Sequence, residues 1–148
     1  MIYCDTSFLI SVYTRSETGS PLAVELYASF DAPIAFTWLV ELELINRFRR
    51  DMNPRELKQS LKDIDDSIDQ GILLRSPANH GAVFQRALAL SKQYAPTTKC
   101  RAADILHVAL AIELVAEPFY SLDNRQRTLA KAARLRVMPQ MGPAGRSD

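Results

Sequence analysis

Short apolar runs alternate with longer stretches of helical period along this chain. Ile2 to Cys4 is a brief apolar run that Asp5 interrupts, which predicts a short buried strand. No element is assigned between Cys4 and Ser20. From Ser20 or Pro21 to Phe30, Leu22, Leu26 and Phe30 recur at every fourth position, as on one face of a helix. Pro33 to Phe36 predicts a second strand, and Thr37 can cap a helix running to about Arg50. Asn53 and Pro54 form a cap and a first-position proline for a helix that reaches about Asp69 and ends at Gly71. Ile72 to Leu74 predicts a third strand, and His80 to Tyr94 a helix. Lys99 to Ala116 is helical in pattern and apolar on most faces, which places it centrally. Pro118 to Ser121 predicts a fourth strand, Arg125 to Leu135 a last helix, and Arg136 to Met138 a fifth strand.

Strands alternating with helices predict a parallel sheet of four to five strands covered by helices on both faces, a three-layer α/β/α domain. In such sheets the functional crevice lies beyond the carboxyl ends of the strands. The 148 residues suit one domain. A chain of that size buries roughly 70% of its unfolded surface, so it needs neither disulfide nor zinc to fold. Residues 1–138 are expected to form that domain. Residues 139–148 (PQMGPAGRSD) are rich in Pro and Gly and are expected to be a flexible tail. Cys4 and Cys100 are the only cysteines and show no metal spacing, so they are expected as reduced thiols of a cytoplasmic protein. The N-terminus has no signal-peptide pattern, and no apolar run approaches the ~20 residues of a membrane helix.

The net charge of +1 disfavours a protein that merely coats nucleic acid, because such proteins carry a large basic excess. An RNA substrate would have to be gripped by a local basic patch.

The acids change the picture. Asp5 follows the first strand and Asp123 the fourth, so both are expected on the strand-end side. Asp104 lies in the first turns of the apolar helix and Glu43 in the second turn of the helix after strand two, which start on that same side. Four carboxylates gathered there would repel one another unless a cation were present. Mg²⁺ or Mn²⁺ takes such oxygen ligands, lowers the pKa of a bound water and can clamp the oxygens of a phosphodiester. The plain alternative is local: Asp5 ends a strand and Asp123 caps a helix. Asp104 resists it, because its neighbours are Ala102, Ala103, Ile105, Leu106 and Val108, and an acid there needs a partner.

These residues resemble the motifs of PIN-domain nucleases. Ile2-Tyr3-Cys4-Asp5-Thr6-Ser7 resembles the opening strand with its Asp-x-Ser step, and Thr37 to Asn46 the second motif, in which Ser or Thr precedes the acid by six positions. Ala103-Asp104-Ile105-Leu106-His107-Val108-Ala109 resembles the third and Phe119 to Gln126 the fourth. The resemblance runs from residue 1 to about 139, in a style similar to the VapC toxins of type II toxin–antitoxin pairs. It implies a ribonuclease dependent on Mg²⁺ or Mn²⁺ that hydrolyses RNA phosphodiesters with a metal-activated water. It further implies a homodimer and a cognate VapB-like antitoxin. Carried over residue by residue, it gives Asp5, Glu43, Asp104 and Asp123 as metal-site and catalytic acids. Glu41 is the rival of Glu43: the two point about 200° apart on a helix, so only one faces the crevice. Periodicity does not choose between them; the motif spacing favours Glu43.

Ser7, with Thr6 beside it, can hydrogen-bond a carboxylate or a metal-bound water, or serve the turn. His107 reads better as a partly buried structural histidine than as a base. Lys99 and Arg101 can grip phosphates near a helix start; Arg47, Arg49, Arg50, Arg125 and Arg127 suit a solvated face or a partner surface. Leu22, Val24, Leu26, Tyr27, Phe30 and Trp38 exceed what one helix face needs and suit either core or a partner. A haloacid-dehalogenase-type phosphatase would want an acid where Ser7 stands, and a receiver domain an acidic pair that is missing. A PIN nuclease of RNA processing and a degenerate PIN fold that binds protein are the alternatives within the fold.

Overall fold

The computed structural model describes residues 1–14 and 20–140, so the expected tail falls mostly outside the described residues. In chain order the elements are β1 (Tyr3–Cys4), α1 (Thr6–Tyr13), α2 (Ser20–Ala28), β2 (Ile34–Phe36), α3 (Trp38–Asp51), α4 (Pro54–Asp69) and β3 (Leu73–Arg75). They continue with α5 (His80–Thr98), α6 (Ala102–Glu113), β4 (Phe119–Tyr120), α7 (Asn124–Ala132) and β5 (Val137–Met138).

Every strand pairing is parallel. β1, β4 and β5 form one ladder, with Tyr3 opposite Phe119 and Phe119 opposite Val137. β2 and β3 form a second, with Ile34 opposite Leu73. One bridge from Ile2 to Ile34 joins them, through an Ala35 amide donating to the Ile2 carbonyl at 2.8 Å. The order across both ladders is therefore β3-β2-β1-β4-β5. The chain winds outward in one direction from β1 to β3, crosses back, and winds in the other to β5. The order reverses between β1 and β4, where doubly wound sheets place their ligands. Right-handed crossovers then send α1–α4 to one face and α5–α7 to the other, in line with the contacts within each group.

Local signals explain most boundaries. The Thr37 side chain accepts the Val40 amide and starts α3. Asn53 and Glu56 form a reciprocal capping box with Pro54 in the first turn, and Gly71 takes φ +73° just past the end of α4. α1 stands where no element was expected. The run Phe8-Leu9-Ile10-Ser11-Val12-Tyr13 is apolar and partly β-branched, and lacks a plain helical stripe. The Asp5 carboxylate capping the Phe8 amide at 3.0 Å begins it, and Phe8 and Leu9 pack fully into the core. α5 runs beyond Tyr94 to Thr98, and Lys99, at φ 54°, ends it in the left-handed region. Lys99 thus closes α5 and does not belong to α6, which starts at Ala102. Tyr3 stacks on Phe119 with centroids 5.2 Å apart, which fixes β1 and β4, and both rings are fully buried. Both cysteines are free.

Candidate functional site

Asp5 leaves β1 and is buried, 3% exposed. Its Oδ1 accepts the Ser7 hydroxyl at 2.7 Å and the Phe8 amide at 3.0 Å. The Leu122 amide donates to the Ser7 hydroxyl at 3.1 Å, so Ser7 ties the exit of β1 to the exit of β4. Burial pushes the Asp5 carboxyl up from its ordinary value. His107, the Ser121 and Ser7 hydroxyls and the Phe8 amide offset part of that. A buried carboxylate met mainly by neutral donors is costly to ionise and gains from a nearby cation.

Glu43 projects from the second turn of α3 and is half-buried. Its Oε2 accepts the Thr6 hydroxyl at 2.6 Å and lies 2.8 Å from His107 Nε2. Burial works to raise the Glu43 carboxyl, but the His107 hydrogen bond and charge, with the Thr6 hydroxyl, hold it below its ordinary value. Glu41 points elsewhere and forms an ion pair with Arg75 at 2.6 Å. The structure therefore separates the two acids that periodicity left open, and it is Glu43 that joins α1 and α6.

Asp104 sits in the first turn of α6, and its Oδ2 accepts the Arg101 amide at 2.7 Å. Asp123 caps α7 through Oδ1, which accepts the Gln126 amide at 2.9 Å. The Gln126 side chain, almost wholly buried, donates to the Asp104 carbonyl at 2.9 Å and links the two helix starts. Asp123 does cap the following helix, as its local reading predicted.

All four expected acids thus follow strand ends or stand in the early turns of helices. Three separate links hold them: Ser7 ties Asp5 to the β4 exit, Thr6 and His107 tie Glu43 to α1 and α6, and Gln126 bridges the Asp104 carbonyl to the Asp123 carboxylate. They are not gathered into one coordination sphere: among the described residues, no three His, Cys, Asp or Glu side chains stand close enough to hold an ion. The donor set is nonetheless oxygen, as Mg²⁺ and Mn²⁺ require. Among the described residues, the hydrogen bonds to Glu43, Asp104 and Asp123 each use one carboxylate oxygen. In donor chemistry the residues fit a hard divalent ion.

Sequence reasoning missed Tyr3, Ser121 and Gln126, none of which carries a local signal for a site. His107 is buried, as a structural histidine would be, yet it touches Glu43 directly. Arg127 was expected on a surface. It is buried, and its guanidinium donates to the carbonyls of Ser121, Met138 and Pro139. Lys99 and Arg101 are exposed just before Asp104. Leu22, Val24 and Trp38 are exposed, as are Leu42, Phe84 and Leu88, whereas Leu26, Tyr27 and Phe30 pack against the core. A cavity of about 590 Å³ lies where α1, α3 and α4 meet, lined by Tyr13, Arg47, Asp51, Glu56 and Asp63 among others; none of the four acids lines it. No helix among the described residues is long and apolar enough to cross a membrane.

The family model of the PIN domain matches residues 2–132. Similar solved structures include VapC20 of Mycobacterium tuberculosis, described as a toxin that cleaves the sarcin–ricin loop. It superposes with a TM-score of 0.71 at 17% identity, over 94% of this chain and 100% of that one. FitAcB of Neisseria gonorrhoeae gives 0.63 at 17% identity over 94% and 97%. VapBC2 of Rickettsia felis, bound to a DNA fragment from its promoter, gives 0.63 at 16% identity over 93% and 98%. At these identities the likeness is one of fold. No curated protein matches the chain.

Proposed function

This chain belongs to the PIN domain family, and we propose that it is a cytoplasmic ribonuclease dependent on Mg²⁺ or Mn²⁺. The observation that supports the reading is that Asp5, Glu43, Asp104 and Asp123 all follow strand ends or stand in early helix turns, each held by a hydroxyl, a histidine or a backbone amide. Asp5, Glu43, Asp104 and Asp123 are the residues that would hold the ion. When bound, the ion supplies charge neutralisation and a water of lowered pKa. The protein's own part is positional. Ser7 orients Asp5, Thr6 and His107 orient Glu43, and the starts of α1, α6 and α7 carry the positive ends of helix dipoles, which favour a phosphate. Lys99 and Arg101 offer exposed positive charge beside Asp104 for the RNA backbone.

The finer reading is a toxin of a type II pair, with a cognate antitoxin and a second copy of the chain as partners. The likeness in fold to VapC20, a toxin, together with the VapC-like style of the motifs, motivates it. The test is cleavage of a mixed RNA pool with Mg²⁺, with Mn²⁺ and with EDTA, comparing wild type with Asp104→Asn. Metal-dependent cutting that disappears in the variant is expected. Cutting that persists in EDTA, or equally in the variant, would sink the proposal.

A further inference from the structure

We propose that His107 is a positioning residue for Glu43, locked by Tyr3 so that its Nε2–H aims the Glu43 carboxylate at the crevice. The inference rests on the reading of Glu43 as a metal-site acid.

His107 touches a hydrogen-bonding group on each side of its ring. Nδ1 lies 2.9 Å from the Tyr3 hydroxyl, and Nε2 lies 2.8 Å from Glu43 Oε2. The Thr6 hydroxyl spends its one proton on that same oxygen, at 2.6 Å. A carboxylate held at 2.8 Å by an imidazole nitrogen needs a proton between them, since two lone pairs would repel. Nε2 therefore carries the hydrogen. In the neutral ring Nδ1 accepts the Tyr3 O–H; in the charged ring Nδ1 donates to the Tyr3 oxygen. The Nε2–H bond to Glu43 survives in both, so the aim of the carboxylate does not depend on the charge of the ring.

The ring has little freedom to turn. Tyr3 is fully buried, stacked on Phe119 at 5.2 Å, and meets the His107 ring edge-on at 5.9 Å. The bonds Tyr3–His107–Glu43 tie the second turn of α3 to β1 and α6. Among the described residues every hydrogen bond to Glu43 ends on Oε2. That leaves Oε1 for a ligand, which is how a buried partner orients a metal-binding group.

The first readout needs neither metal nor activity. Long-range ¹H–¹⁵N correlation on the metal-free protein should find His107 protonated at Nε2. A ring protonated only at Nδ1 would overturn the proposal. The second is Mn²⁺ binding by electron paramagnetic resonance, with RNA cleavage in parallel, for His107→Gln and His107→Asn. The Gln amide nitrogen reaches the place of Nε2 and keeps the donor; that of Asn reaches only the place of Nδ1. His107→Asn should weaken Mn²⁺ binding by about 10- to 100-fold, and His107→Gln should stay close to wild type. Equal loss in both variants, or none in His107→Asn, would refute the positioning role while wild-type binding left the metal reading intact. A wild type that neither binds Mn²⁺ nor cuts RNA overturns the metal reading itself. If His107→Asn does not fold, the wild-type tautomer and the Gln variant still decide.

Discussion

Two acidic regions of the molecule are handled in opposite ways. Around the end of α3 and on α4, two acids at the surface are met by the protein's own cations: Arg47 and Arg50 pair with Asp51, and Lys62 with Asp66. The Arg50 hydrogen bond holds the Asp51 carboxyl below its ordinary value. At the strand ends, Asp5, Asp104 and Asp123 are met by hydroxyls and helix amides, and Glu43 by a hydroxyl and a histidine. Among the described residues no Lys or Arg forms an ion pair with any of these four. Hydroxyl and amide donors orient Asp5, Asp104 and Asp123 without cancelling their charge, while His107 offsets part of that of Glu43. Asp51 and Asp66 are met from within the protein, whereas the strand-end acids still have charge to offer an external cation. The cavity of about 590 Å³ belongs to the first region, so its size is no guide to the chemistry.

The sharpest way to break this comparison is one amide substitution in each region. Asp5→Asn and Asp104→Asn should each lower RNA cleavage by about 10³-fold, equivalent to ~4 kcal/mol of barrier. Asp51→Asn should leave the rate unchanged, measured on the same RNA at saturating Mg²⁺. An equal loss in Asp51→Asn would erase the distinction.

Metal should act on stability through one region alone. An ion at 100 times its dissociation constant stabilises the folded state by ~2.7 kcal/mol. Scanning calorimetry should therefore show the wild-type melting temperature rising by about 5–11 °C with Mn²⁺, and no rise in Asp5→Asn. A rise of the same size in that variant would move the ion elsewhere.

A smaller effect appears without metal. The folded-state pKa of Asp5 is raised by burial. Its contribution to stability is therefore fully present below the unfolded value of about 3.9 and is lost as pH rises through the folded value. In chelator, wild type should lose stability relative to Asp5→Asn as pH rises across that window, read by urea denaturation. Asn still accepts the Phe8 amide, so the helix cap is retained. A difference that stays constant with pH would show that burial does not burden the Asp5 charge. The smallest effect is expected for Asp66→Asn, where breaking an exposed pair with Lys62 should leave melting temperature and activity almost unmoved.

What the sequence disclosed follows the same division between local and distant causes. Thr37, Asn53-Pro54 and Gly71 act on their own neighbours, so the limits of α3 and α4 could be read from spacing. Asp5, Glu43, Asp104 and Asp123 could be named because strand ends and helix starts share one side of a parallel sheet. α1 stayed hidden because Phe8 to Tyr13 is apolar without a clear helical stripe, and the cap that starts it comes from an acid that also suits a strand end. The choice between Glu41 and Glu43 depended on partners far along the chain, Arg75 for one and Thr6 with His107 for the other. Tyr3 looked like any apolar strand residue, since the His107 ring that gives its hydroxyl a role lies 104 positions away. Arg127 read as surface charge because the carbonyls it holds come together only when β4 and β5 pair.

The most direct test of the central claim is Mn²⁺ titration followed by electron paramagnetic resonance on wild type, Asp5→Asn and Asp51→Asn. Wild type and Asp51→Asn should bind Mn²⁺ with the same affinity, and Asp5→Asn should lose that binding. Binding that survives in Asp5→Asn, or that disappears in Asp51→Asn, would contradict the assignment of the strand-end carboxylates as the metal site.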